Sequence, residues 1–247
     1  MKVALFVPCY VDQLYPQVAV ATARVLRRVG CEVVFPPEQT CCGQPMANAG
    51  FAEAAAPLAR RFLDVFEGFD HVVCPSGSCT AMVRTQYQDL VGGDPRLARV
   101  SAATFELCEF LTDVLRVGPL TGRYPRKVGL HRSCHGLRGL RLGSGSERVV
   151  AAQDKVESLL RGLTGLELVS LTRPDECCGF GGTFAVMEEA VSCLMGRDRL
   201  ADHVGAGAQV VTGTDVSCLM HLEGLARRTG APLEFRHVAE VLAEALP

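Results

Sequence analysis

The chain repeats itself, so any fold it adopts must contain the same unit twice. Val3-Ala4-Leu5-Phe6-Val7-Pro8-Cys9 aligns with Val128-Gly129-Leu130-His131-Arg132-Ser133-Cys134. Glu38-Gln39-Thr40-Cys41-Cys42-Gly43 aligns with Pro174-Asp175-Glu176-Cys177-Cys178-Gly179. Val72-Val73-Cys74-Pro75-Ser76-Gly77-Ser78-Cys79 aligns with the stretch that ends in Asp215-Val216-Ser217-Cys218. The copies meet near residues 121–126, a connector containing Gly, Pro and Arg, which sets expected domains of 1–122 and 123–247.

Within each copy, short apolar runs alternate with longer stretches of helical period, the pattern of βα units around a mainly parallel sheet. Strands are expected at 3–7, 32–35 and 71–73 in the first copy, and at 128–131, 166–170, 209–212 and 233–235 in the second. Residues 18–28 and 51–66 place apolar side chains at spacings of three and four, which marks amphipathic helices packed on a sheet. The expected fold is α/β: two similar Rossmann-like subdomains with mainly parallel sheets, related by a pseudo-twofold axis.

With 247 residues, 48% of them apolar, the chain can bury a sizeable core, which excludes disorder as its main state. A formal charge of -2 supplies no basic field for nucleic acid or an anionic membrane. No run approaches the ~18 apolar residues of a membrane span. The first eight residues read as a β-strand rather than a signal peptide, so a cytoplasmic location is expected. In that compartment twelve cysteines point to metal binding or redox chemistry rather than to disulfides.

Eight of the twelve recur at matching places: Cys9, Cys41, Cys42 and Cys79, then Cys134, Cys177, Cys178 and Cys218. All follow expected strand ends or lie in loops, and in an open α/β sheet the loops beyond the carboxyl ends of the strands converge on one edge. Each set therefore reads as one four-thiolate site. Adjacent cysteines are hard to aim at a single tetrahedral ion, whereas a multinuclear iron–sulfur cluster lets each reach a different iron. Structural zinc usually uses Cys-x2-Cys hooks, which this chain lacks, so zinc is the alternative and an iron–sulfur cluster the favoured reading. Gly43 and Gly179 suit a tight turn beside a bulky cofactor. Cys31, Cys74, Cys108 and Cys193 have no counterpart in the other copy and read as small buried hydrophobes.

Other residues near these cysteines have weaker claims. His131, His135 and His221 flank the second set and read mainly as supporting or surface residues, with ligation or a proton contact as alternatives. Arg132 and Arg138 are candidates for holding a carboxylate, although arginines of this kind commonly serve helix surfaces. Gly179-x-Gly181-Gly182 lacks the spacing of a dinucleotide loop; it fits a helix starting close to the cluster, with backbone N–H groups aimed at sulfur. No Ser/His/Asp order or carboxylate pair marks acid–base machinery, and no catalytic residue is assigned.

The double pattern of a lone cysteine, a Cys-Cys-Gly and a distal cysteine resembles the CCG cysteine-rich domain. That domain occurs twice in the cysteine-rich component of heterodisulfide reductase and in related iron–sulfur oxidoreductases. Cys41-Cys42-Gly43-Gln44-Pro45, Pro75-Ser76-Gly77-Ser78-Cys79-Thr80, Cys177-Cys178-Gly179-Phe180-Gly181-Gly182-Thr183-Phe184 and Asp215-Val216-Ser217-Cys218-Leu219 are similar to the lactate utilisation protein A family over nearly the whole chain. The resemblance implies an iron–sulfur subunit of a system oxidising L-lactate to pyruvate. Its implied partners are a ferredoxin-type iron–sulfur subunit and a third subunit, and a heterodisulfide-reductase-like thiol/disulfide oxidoreductase is the alternative. A zinc-stabilised scaffold is a third reading. In the reductase pattern each repeat ends in Cys-x2-Cys, whereas Ser76 and Asp215 hold the first of those positions here. Two 4Fe-4S clusters on four thiolates each are therefore expected, with Ser76 or Asp215 available as an extra oxygen ligand.

Overall fold

The computed structural model describes residues 1–151 and 153–246. The first half runs β1 (Lys2–Leu5), α1 (Cys9–Leu14), α2 (Pro16–Arg28), β2 (Glu32–Val34), α3 (Gln44–Asn48), α4 (Ala52–Phe66), β3 (Val72–Cys74), α5 (Gly77–Ala81), α6 (Tyr87–Val91), α7 (Leu97–Ala102), β4 (Thr104–Glu106) and α8 (Leu107–Glu109). The second runs β5 (Gly122–Arg123), β6 (Lys127–His131), α9 (Lys155–Leu160), β7 (Leu163–Thr164), β8 (Glu167–Leu168), α10 (Phe184–Met187), α11 (Glu189–Gly205), β9 (Val210–Gly213), α12 (Val216–Thr229), β10 (Glu234–His237) and α13 (Val238–Ala245). Single π-helical turns follow α5, α8 and Cys134.

Each half carries a four-stranded parallel sheet, ordered β2-β1-β3-β4 in one and β8-β6-β9-β10 in the other. Replacing each strand of the first sheet by its repeat counterpart reproduces the second, so the chain consists of two similar α/β subdomains. Registers agree as well: Ala4 faces Val72, and their counterparts Gly129 and Val211 face each other. All seven expected strands are present, within a few residues. The 121–126 connector holds the short strand β5, which pairs with β7. The helical stretch that follows Gly182 is two helices, α10 and α11, because Glu188 between them leaves helical geometry at φ -124° and ψ 49°.

The halves share their main core. Helix α2 starts at Pro16, whose missing N–H costs nothing there, and ends with Arg27 and Arg28 near its negative end. Its buried face, Val18, Val25 and Leu26, packs against α13, where Val238, Val241 and Leu242 are buried. Reciprocally, α8 of the first half packs against α9 of the second. The carboxyl edges of the two sheets meet at the same seam. There Asp215, ahead of α12, accepts hydrogen bonds from Ser76 Oγ and Ser78 N–H, both at 2.9 Å. Ser76 Oγ also accepts from the Cys79 N–H and so caps α5.

Two predictions concern this frame. Charge-assisted hydrogen bonds to a buried carboxylate contribute on the order of 1.5–3 kcal/mol each, so Asp215→Ala should cost about 3 kcal/mol and Ser76→Ala about 1 kcal/mol. Because the two groups share one bond, the double variant should lose less than the sum, as read from urea midpoints of the reduced, metal-free chain. The second concerns His237, which caps α13, and His203 inside α11; burial lowers their pKa values to about 4 and about 2. The unfolded chain then binds protons first as pH falls below 6.5, so folding stability declines towards acid. Between pH 7 and 4.5 each should contribute a loss of about 2 kcal/mol, and His237→Asn, which keeps a cap acceptor, should recover its share.

Candidate metal centre

The same local geometry places each cysteine in both halves. Cys9 and Cys134 come just after the equivalent strands β1 and β6, which end at Leu5 and His131. Cys79 and Cys218 are each the third residue of the helix after β3 or β9, so they lie in first helical turns rather than in loops. The adjacent pairs lie in the loops that end at Gly43 and Gly179, both left-handed, at φ 86° and 90°. A Cβ would also strike the Ser192 carbonyl oxygen at Gly179, at 2.5 Å, and crowd the Ala55 carbonyl oxygen at Gly43, at 3.3 Å. Only glycine fits such a position.

In each half the four sulfurs form a contiguous group. Cys9 Sγ lies 3.5 Å from Cys41 Sγ, and the buried Cys42 thiol has Cys41 and Cys79 as its neighbours, which push its pKa up together with burial. Hydrogen bonds from Cys42 and Cys9, and from the Gly43 N–H, hold Cys41 down at about 3. The second set repeats this: Cys134, Cys178 and the Gly179 N–H hold Cys177 at about 2, and Cys178 reaches Cys218. Their neighbours are pushed the other way, Cys9 by its bond to Cys41 and by burial, and Cys134 by Cys177 and burial. One thiolate held by surrounding thiols is a set of soft donors whose protons a metal would replace. All twelve cysteines are free thiols.

Both sets open onto one cavity of about 120 Å³ at the seam. Cys9, Cys42 and Cys79 line it from one side, and Cys134, Cys177, Cys178 and Cys218 from the other. Tyr10, edge-on to Phe180 at 5.9 Å, and Gln44, whose Nε2 is 3.5 Å from His135 Nε2, cross from half to half around it. Asp215 also lines it, and its Oδ2 is buried without a partner. A thiol-lined cavity with an orphaned carboxylate oxygen suits a polynuclear thiolate-bound metal group, and these residues fit one.

The remaining candidates separate clearly. His131, at the end of β6, is 2% exposed, and one of its ring nitrogens lies within 4.8 Å of the sulfurs of Cys178 and Cys218, a grouping able to hold a metal ion. His135 lines the cavity, whereas His221 packs on Ser192 away from it. Arg132 is bound to Asp154 at 2.6 Å and Glu157 at 2.9 Å, and Arg138 to Glu147 at 3.0 Å, so neither faces the cavity free. The N–H groups aimed at sulfur come from the loop itself: Gly179 to Cys177 and Phe180 to Cys178, each at 3.4 Å. Cys31, Cys74 and Cys108 are buried in the core and Cys193 is half-buried on α11.

Two residues escape a plain reading of the sequence. Arg199 and His203, one turn apart on α11, are both fully buried. Arg199 Nε donates to His203 Nε2 at 3.2 Å, and its Nη1 reaches Asp202 and the Arg173 carbonyl. Burial and then the Arg199 charge push His131 down to about 4. The signal was available in the repeat. Ala55 and Ser192 occupy equivalent places beside Gly43 and Gly179, and carrying that register along the helices sets Phe62 against Arg199 and Phe66 against His203.

Comparison with known proteins agrees with this geometry. The cysteine-rich (CCG) domain matches twice, at residues 3–84 and 128–223, one match on each half. The protein named Lactate utilization protein A from Exiguobacterium sp. is 42% identical over 98% of this chain and 97% of its own. The protein of the same name from Geobacillus kaustophilus is 39% identical over 98% of each. Among solved structures, a hypothetical protein from Helicobacter pylori superposes with a TM-score of 0.62 at 11% identity, covering 99% of this chain and 49% of that longer one, which bears on the fold alone. Two domain matches and near full-length identity place the chain in the CCG cysteine-rich family, among the proteins named Lactate utilization protein A.

Proposed function

We propose that this chain is the iron–sulfur electron-transfer subunit of a system that oxidises L-lactate to pyruvate. The observation that carries the reading is the pair of four-cysteine sets, none of them in a disulfide, with seven of the eight cysteines lining one seam cavity. Cys9, Cys41, Cys42 and Cys79 would hold one 4Fe-4S cluster and Cys134, Cys177, Cys178 and Cys218 another, each supplying a one-electron carrier when bound. The names of the relatives supply the lactate connection. Lactate oxidation releases two electrons and two protons, and two sites match that number.

What the chain's own residues do follows from their placement. The N–H groups of Gly43, Gly179 and Phe180 donate to cysteine sulfur and favour negative charge there. Among the described residues, those lining the cavity include no arginine or lysine, and Arg132 and Arg138 are committed to carboxylates. A lactate carboxylate therefore meets no cation in the cavity. On this reading lactate is taken up by another subunit and the present chain is a cytoplasmic component, working with a ferredoxin-type iron–sulfur subunit and a third protein. No helix among the described residues is long and apolar enough to cross a membrane. The single cavity shared by both sets favours one rival, a thiol/disulfide oxidoreductase in which a disulfide lies between the two sites.

Purified without oxygen, the chain should be brown and contain iron and acid-labile sulfide. Cys178→Ser should lose about half of the iron and alter one electron-paramagnetic-resonance signal, whereas Cys193→Ala should keep the full iron content. A colourless, zinc-only preparation would overturn the reading. With lactate and an artificial acceptor the isolated, cluster-replete chain should turn over negligibly, and activity should appear on adding its partners. Sustained turnover by the single chain would refute the component role, and disulfide reduction with no lactate response in any mixture would establish the rival.

A further inference from the structure

The eight cysteines repeat faithfully, but the groups buried behind them do not. Behind the first set lie three phenylalanines. Phe6 meets Phe62 edge-on at 5.0 Å and Phe66 at 5.7 Å, and Phe62 and Phe66 lie 4.5 Å apart, all of them buried. At the equivalent places the second half has His131, Arg199 and His203. A closed aromatic cluster has thus been replaced by two imidazoles and a guanidinium, also fully buried.

Neither ring nitrogen of His131 has a hydrogen-bond partner, and Arg199 Nη2 has none either. Buried polar atoms are seldom left unpaired in a native protein, so these atoms await a group that the protein atoms alone do not provide. What lies close to the His131 ring is the pair Cys178 and Cys218. A histidine that ligates a metal almost always donates its other N–H to a carboxylate, carbonyl or water. Arg199, the charge acting most strongly on His131, has donors only. Metal-bound thiolates can only accept, so the ring nitrogen nearest the sulfurs of Cys178 and Cys218 is the one that carries the proton. Backbone donors follow the same asymmetry: among the described residues, two N–H groups donate to sulfur in the second loop and one in the first.

We propose that the second cysteine site is the electron sink of the molecule, with His131 as a ring N–H donor to the sulfurs of its cluster and Arg199 as the buried cation behind it. The proposal rests on the iron–sulfur reading given above. N–H donors to sulfur and a nearby positive charge both stabilise the reduced cluster and raise its reduction potential. The first site, which shares its core with Phe6, Phe62 and Phe66, has the Gly43 N–H but no ring N–H and no guanidinium behind it. An electron entering at the first site would therefore pass to the second. His131 is a positioning residue here: it sets the charge preference of a cofactor that the cysteines hold.

The test uses anaerobically prepared wild type, His131→Phe and His131→Gln, with iron and sulfide analysis and a redox titration followed by visible absorption and electron paramagnetic resonance. Cys178→Ser identifies which reduction wave belongs to the second site. His131→Phe, which installs the residue the first half already uses, should keep its full iron content and shift that wave to more negative potential. At the wild-type midpoint the reduced-to-oxidised ratio of that site should fall roughly tenfold, the effect of one charge-assisted hydrogen bond, while the other wave stays in place. His131→Gln, with an amide N–H, should restore most of the shift. Iron loss from the second site in His131→Phe would make His131 a ligand and overturn the donor role, as would two unmoved waves or a common shift of both. A wild type holding zinc and no iron would show instead that the underlying iron–sulfur reading fails, and the proposal with it.

Discussion

Because an early helix of each half packs against the last helix of the other, α2 against α13 and α9 against α8, the two subdomains close around one shared core. Val25 and Leu26 of the first half and Val241 and Leu242 of the second lose their cover if the halves part, so a half on its own would expose the apolar face that should hold it together. That exchange brings the carboxyl edges of both sheets to a common seam. Cysteines borne by separate loops of each half thereby gain a wall on the far side, supplied by the other half. The Ser76–Asp215 bond fastens the seam at the point where the cavity needs to be held.

The repeat and the two hydrophobic periods make most of this legible in advance. Strands such as 71–73 and 209–212 stand out as apolar runs flanked by turn residues, and the matched cysteines fall just beyond strand ends. β4 escapes notice because it contributes only Thr104, Phe105 and Glu106, a run too short and polar to show a period. The break at Glu188 also escapes, having neither proline nor glycine to mark it. That both cysteine sets line one cavity could not be read from either copy alone. It depends on contacts such as Tyr10 with Phe180, far apart in sequence, and these follow only once the helices have been exchanged.

Arg199 and His203 show a different limit. On a helix wheel they look like solvent-facing residues, and only alignment with Phe62 and Phe66 puts them inside. Stability does not explain them: a buried cation is costly to desolvate, even when paired as Arg199 is with Asp202, and hydrophobic replacements at such places are often neutral or stabilising. Nor does the Cys177–Cys178 loop require a charge to hold it. Arg199 and Asp202 do tie the backbone near Thr172 and Arg173, but the first half anchors the corresponding segment with the neutral amide of Gln39. That side chain accepts from Val7 N–H and donates to the carbonyls of Leu5 and Pro36. One fold thus contains both solutions, a neutral one and a cationic one, behind identical sets of thiols. What the Arg199–Asp202 arrangement adds is a field at the second cysteine set, and on the proposed iron–sulfur reading a difference in field between two otherwise equal sites would give electron transfer between them a direction.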